Sequence, residues 1–146
     1  MDATKEKLQI LHLEDDPQWV KRVQSYLSSS KYEIITEEHL DEAHKLLDER
    51  SFDLLLVDIS LIPTVSSDEQ GLEFIKQIRK DEEFRRETGE KVVPVKIVIF
   101  TAYPWRERYR TAFRDYKVSD FLDKGRTSKK ELTRALDKVI KGGDYL

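Results

Sequence analysis

Short, uninterrupted apolar runs alternate along this chain with longer stretches in which apolar residues recur every three or four positions. The first run, Leu8–Leu13, reads as a strand. Asp16-Pro17 then makes a helix start, with an aspartate that can cap and a proline at the first helical position, where its missing N–H costs nothing. Val20, Val23 and Leu27 follow at helical spacing. Residues 32–36, short and β-branched, predict a second strand, and 40–49 returns to helical period through Leu40, Ala43, Leu46 and Leu47. FDLLLVD at 52–58 stays apolar without alternation until its closing acid, as expected of a central strand covered on both faces. Residues 71–80 are helical by Leu72, Ile75 and Ile78, a pattern that can run on to Arg86. VKIVIFT at 95–101 predicts a fourth strand and 105–116 a helix started after Pro104. SDFLDK at 119–124 predicts a fifth strand, and Leu132, Ala135, Leu136 and Val139 place a last helix over 128–141.

The order is strand then helix, five times over. Such alternation predicts an α/β fold, a doubly wound parallel sheet with helices on both faces, because right-handed crossovers put them there. In this architecture ligands bind beyond the carboxyl ends of the strands.

Composition narrows the setting. One domain, 1–146 with its core at about 7–141, is the economical reading of 146 residues, enough to bury about 70% of the unfolded surface. The charged fraction of 38% and mean hydropathy of −0.63 describe a well-solvated exterior. A net charge of −3 speaks against direct nucleic-acid binding, which usually needs a basic excess. No apolar run approaches the ~20 residues that span a bilayer, and MDATKEKLQI lacks the apolar core of a signal peptide. Zero cysteines exclude disulfides and thiolate metal sites and accord with a cytoplasmic location.

The residues that close the strands carry the chemistry. Glu14 and Asp15 follow the first, Asp58 the third, Thr101 the fourth, and Lys124 the fifth. Nothing comparable closes the second, which lies at an edge if the strand order is 2-1-3-4-5. Three ionised carboxylates in one place raise each other's proton affinity, and a divalent cation removes the conflict. Oxygen-only ligands select a hard ion such as Mg²⁺. Lys124 adds a fixed positive charge, and Thr101 can donate a hydrogen bond without adding charge. Together they describe a pocket for a phosphoryl group arriving on a carboxylate.

With these residues in view, the chain resembles the receiver domain of two-component response regulators, a CheY-like superfamily with a (βα)5 flavodoxin-like fold. ILHLEDDP, DLLLVDISL, GLEFIKQIR, IVIFTA and DFLDK carry the resemblance, in family order and over nearly the whole length. It implies that Glu14 and Asp15 hold Mg²⁺, and that Asp58 is the phosphoacceptor and a further metal ligand. Ser60 would offer its backbone carbonyl to the ion. Thr101 would be the switch hydroxyl, Lys124 the phosphate-contacting lysine and Phe121 the switch aromatic. Asp16 caps the first helix instead. A sensor histidine kinase or phosphotransfer protein is the implied donor. The implied output face, formed by the fourth helix, fifth strand and last helix, serves a downstream protein or a dimer partner. No membrane contact and no output domain within this chain are expected. The implied activity is that of a signalling phosphoacceptor, catalysing at most its own phosphorylation and dephosphorylation.

Three departures stand out. Gly125 replaces the proline that usually follows the lysine, often in a cis peptide, so the last loop must be set in another way. The connection ISLIPTVSSDEQ, 59–70, is several residues longer than usual and borders the pocket. DEEFRRETGEKVVP, 81–94, is a second extension, expected at the opposite end of the sheet and outside the chemistry. In this family the positions two beyond the acceptor and two beyond the threonine tune hydrolysis of the acyl phosphate; here they are Ser60 and Tyr103.

Three other readings compete with this one. A pseudo-receiver would keep the fold as a protein-interaction module without phosphorylation. A Mg²⁺-dependent phosphohydrolase of haloacid dehalogenase type needs a second acid two positions after the nucleophile, where this chain has Ser60. A flavodoxin-like FMN binder needs hydroxyls and amides in the first loop, which here offers three carboxylates. His12 reads as a strand residue, and His39 and His44 as surface or helix-flanking positions, none with metal spacing. WRERYRTAFR at 105–114 reads as a solvated, partner-docking helix, not a nucleic-acid patch.

Overall fold

The computed structural model describes residues 7–29, 31–59, 70–102 and 106–142, with side chains at 106–109 left aside. Five strands and five helices alternate in the expected order: β1 Leu8–Leu13, α1 Pro17–Tyr26, β2 Tyr32–Glu37, α2 Leu40–Glu49, β3 Leu54–Val57, α3 Gln70–Glu87, β4 Ile97–Thr101, α4 Arg106–Arg114, β5 Asp120–Asp123 and α5 Lys129–Gly142. One parallel sheet results, in the order β2-β1-β3-β4-β5. This is the doubly wound fold and strand order read from the chain.

Burial explains which residues form which strand. Every residue of β3 and of β4 is buried, because helices cover both faces of the sheet centre. Side chains alternate between two cores. Leu11, Leu13, Leu55, Val57, Ile97 and Ile99 face α2, α3 and α4. Ile10, Leu54, Leu56, Val98 and Phe100 face α1 and α5. β3, β4 and β5 are each shorter than periodicity suggests. β4 begins at Ile97 because the amide of Val95 is taken at 2.8 Å by the buried carboxylate of Glu82 on α3, not by a neighbouring strand. β3 begins at Leu54, after Asp53 turns its carboxylate back onto the amide of Gln9 at 2.7 Å.

Helix ends follow their local chemistry. The Asp16 side chain accepts from the amide of Gln18 at 2.9 Å, so it caps α1 as expected. Ser128 and Glu131 form a reciprocal capping box before α5: the amide of Glu131 donates to Ser128 Oγ at 3.1 Å and the amide of Ser128 to Glu131 Oε1 at 2.9 Å. α3 runs to Glu87 and closes on Gly89, whose φ of 96° supplies the left-handed residue of a Schellman turn. Its two bonds run from Glu90 N to Arg85 O and from Gly89 N to Arg86 O.

Arg79 on α3 ties this layer together. Its guanidinium donates to the carbonyls of Tyr116 and Lys117, just past α4, and to Glu82 Oε1. Lys117 itself adopts a φ of 53°. Among the described residues, no helix is long and apolar enough to cross a membrane.

Candidate functional site

The carboxyl ends of β1, β3, β4 and β5 meet at one edge of the sheet. The amide of Asp58 donates to the carbonyl of Leu13, so β3 stays in register with β1 one residue past its end. The amide of Lys124 donates to the carbonyl of Thr101 at 2.9 Å, which does the same for β4 and β5. The turn after Lys124 is then set by Asp123, whose side chain accepts from the amide of Gly125 at 2.8 Å while its carbonyl accepts from Arg126 at 3.0 Å. That carboxylate-anchored turn shapes the loop where a proline was missed, and no peptide bond among the described residues is cis.

The side chains converge. Glu14, Asp15 and Asp58 each bring one carboxylate oxygen within 4.8 Å of the other two. Lys124 Nζ lies 2.6 Å from Glu14 Oε1 and 2.9 Å from Asp58 Oδ2. Glu14 is 1% exposed, Asp58 and Lys124 6%, and Thr101 0%, so these charges sit out of water. Burial, above all, pushes the Glu14 carboxyl up to about 7, with the Asp58 charge adding to it and the Lys124 ammonium pulling the other way. Asp15 is also raised, first by its own burial. An ammonium beside a carboxylate would normally lower it, so the desolvation here is large.

A divalent cation fits this donor set. Glu14 Oε1 is buried and, among the described residues, makes no well-aligned hydrogen bond, despite the nearby ammonium. Three carboxylate oxygens within reach of one ion are the ligands a hard cation takes. Ser60, expected to add its carbonyl, lies outside the described residues, as do Tyr103 and nearly all of the connection 59–70.

Phe121 is buried at 8%, on the same sheet face as Ile99, its register partner, and Thr101. At the opposite edge, a groove of about 1000 Å³ opens between α2, α3 and the segment 91–96. Acids such as Asp48 and Asp81 and bases such as Arg50 and Lys91 alternate on its walls. It contains none of the acidic cluster.

Two residues gain an importance that the chain alone did not suggest. His12 is 1% exposed and its Nε2 lies 3.9 Å from Glu14 Oε1, while Nδ1 has no hydrogen-bond partner among the described residues. Burial, then the Lys124 charge, hold its pKa down to about 3, so it is a neutral imidazole behind the acids. Positions two apart in a strand share a face, and that spacing alone could have placed His12 beneath Glu14. The second is Trp19 in the first turn of α1, whose ring centroid lies 5.1 Å from Lys124 Nζ. His44 is partly buried against the Phe74 ring, with centroids 4.7 Å apart, and His39 flanks α2 as expected. Arg110 and Arg114 are exposed on α4, Arg114 bonded to Asp115.

Solved structures of similar fold share this arrangement of elements. The signal receiver domain of an HD domain-containing protein from Pseudomonas fluorescens Pf-5 superposes with a TM-score of 0.74 at 19% identity, covering 94% of this chain and 98% of that one. The CheY-like receiver domain protein from Methanospirillum hungatei JF-1 gives 0.71 at 17%, covering 94% and 97%. Response regulator TrrA from Thermotoga maritima, solved with Mg²⁺ and BeF, gives 0.66 at 25%, covering 90% and 98%. No curated protein sequence matches. The model of the response regulator receiver domain matches residues 10–137, a span that runs from within β1 through β5 and takes in the three carboxylates and Lys124, and the chain belongs to that family.

Proposed function

We propose that the chain is a competent phosphoacceptor: a receiver that takes a phosphoryl group from a phosphohistidine onto Asp58. Receiver domains are signalling modules of two-component systems, not enzymes with external substrates. The observation that carries the reading is the placement of the Asp58 carboxylate, buried, 2.9 Å from Lys124 Nζ and within 4.8 Å of Glu14 and Asp15.

Glu14, Asp15 and Asp58 would hold Mg²⁺, with the carbonyl of Ser60 as the fourth protein ligand. Bound there, the ion supplies positive charge to the phosphoryl oxygens. An Asp58 carboxylate oxygen attacks phosphorus in line as the P–N bond to the donor histidine breaks. The bonding pair returns to the imidazole nitrogen, and because the ring's other nitrogen carries a proton at that moment, the histidine leaves as neutral imidazole. Lys124 neutralises charge on the transferring oxygens, and Thr101 donates its hydroxyl to one of them.

The adduct adds charge at the sheet edge, and the response is a shift between two packings. Thr101 and Lys124 draw toward the phosphoryl group, and Phe121, buried on the same face as Thr101, repacks into the space left behind. α4, β5 and α5 are thereby presented differently to a downstream protein or a second copy. A sensor histidine kinase or phosphotransfer protein is the donor this reading calls for, and a cytoplasmic location goes with it.

Incubation with Mg²⁺ and acetyl phosphate, followed by intact mass, tests this. The expected result is a gain of one phosphoryl mass, abolished by EDTA and absent from Asp58→Asn. No gain in the parent protein overturns it in favour of a non-phosphorylated interaction module.

A further inference from the structure

Lys124 has a third partner besides its two carboxylates. Trp19 lies in the first turn of α1, partly buried, with its ring centroid 5.1 Å from the ammonium. The indole is fixed in turn: it meets the ring of Phe100 edge-on, with centroids 5.3 Å apart and planes at 89°. Phe100 immediately precedes Thr101 in β4. Arg22, one turn further along α1, brings its guanidinium carbon 4.8 Å from the same indole. A ring held between a strand and a helix thus lies against the one cation that the described residues bring to the acidic cluster.

We infer that Trp19 is a positioning residue for Lys124, holding its ammonium over the acidic cluster before a phosphoryl group arrives, a role that rests on the phosphoacceptor reading above. The chemistry suits the task. An aromatic face attracts a cation without neutralising or titrating it, and the attraction strengthens where water is excluded. It is also weakly directional, unlike a carboxylate. Nζ can therefore slide from Glu14 toward an oxygen bound to Asp58 while remaining against the ring. Lysine has a long, flexible stem, and holding it in advance removes an entropic cost from the transfer step.

The resting geometry gives this role two opposite consequences. Lys124 pairs with Glu14 and Asp58, two of the three carboxylates that would hold a divalent cation. Loosening the ammonium therefore eases metal binding. The same loosening removes a positioned charge from the transferring oxygens, so phosphorylation slows. Packing loss alone would weaken both.

Trp19→Leu keeps apolar bulk but lacks the electron-rich face, whereas Trp19→Phe retains a smaller one. Mg²⁺ is titrated calorimetrically into the metal-free parent and both variants. Adduct formation from acetyl phosphate is timed at saturating Mg²⁺ by intact mass, and thermal melting is recorded for all three. For Trp19→Leu we expect a Mg²⁺ Kd lower by about twofold to fivefold and adduct formation slower by about threefold to tenfold, with Trp19→Phe in between. Leu and parent values that coincide overturn the assignment. So does a Leu variant in which metal affinity and rate fall together with the melting temperature. If the parent forms no adduct, the phosphoacceptor reading fails, and the calorimetric shift alone still decides whether Trp19 governs Lys124.

Discussion

Gly71, at the start of α3, lies against the backbone of Asp58: a Cβ on its α carbon would sit 1.9 Å from the Asp58 carbonyl oxygen. Its amide donates to the carbonyl of Ile59 at 2.7 Å, so the twelve-residue connection leaves the acceptor strand and returns to it at one point. The glycine is required by contact, not by an unusual backbone angle. Gly71→Ala forces helix and acceptor loop apart, because neither backbone can yield as a flexible side chain would. We expect a loss of about 2–4 kcal/mol in urea unfolding and a matching fall in adduct formation at Asp58. A variant as stable and as reactive as the parent would contradict the geometry.

Lys124 is the internal counterion of two buried acids. Lys124→Met leaves Glu14 and Asp58 facing each other without a cation, and breaking a buried pair from one side typically costs about 3–5 kcal/mol. The loss should be largest with EDTA present and should shrink at millimolar Mg²⁺, which binds only the folded state. Unfolding in the two buffers gives the comparison, and a deficit that ignores Mg²⁺ would argue that the acids do not share an ion.

His12 makes a pH prediction of definite sign. Its pKa falls from 6.5 in the unfolded chain to about 3 in the folded protein, owing to burial and then Lys124. Above 6.5 both states are neutral and nothing is lost. As pH falls from 6.5 toward 3 the unfolded chain binds a proton that the native imidazole refuses, so stability drains away at up to about 1.4 kcal/mol per pH unit. Glu14, raised to about 7, works in the opposite direction and is present in parent and variant alike. With EDTA present, His12→Leu should therefore gain on the parent steadily between pH 6.5 and 4. Parallel stability curves would refute the assignment of a neutral histidine.

The capping box of α5 is separable from all of this. Ser128→Ala removes the acceptor for the Glu131 amide and should cost about 1 kcal/mol, while leaving the rate of adduct formation unchanged. Denaturation and mass spectrometry on the same sample would show whether the two properties part company.

The architecture was legible because each element carried a local reason for its type. Leu54–Val57 and Ile97–Thr101 could be read as central strands from apolar runs without alternation, and Asp16-Pro17 as a helix start from two residues. Strand ends were less legible, since they depend on distant groups. Nothing near Val95 announces that Glu82 will take its amide. The chemical set was legible as well, because a parallel sheet brings every strand's carboxyl end to one edge. The surroundings of that set were not: Trp19 and Gly71 are neighbours of Lys124 and Asp58 through helix placement, which periodicity does not encode.

Arg79 grips the two carbonyls just beyond α4 from a neighbouring helix, and it is itself braced by Glu82. A lever clamped at its tail has its greatest travel at the other end. For α4 that end is the one nearer Thr101 along the chain, where a charge added at Asp58 would be felt. The clamp thus makes Tyr116 and Lys117 a fulcrum, and the helix would answer the pocket by tilting about it, with little sliding along its axis.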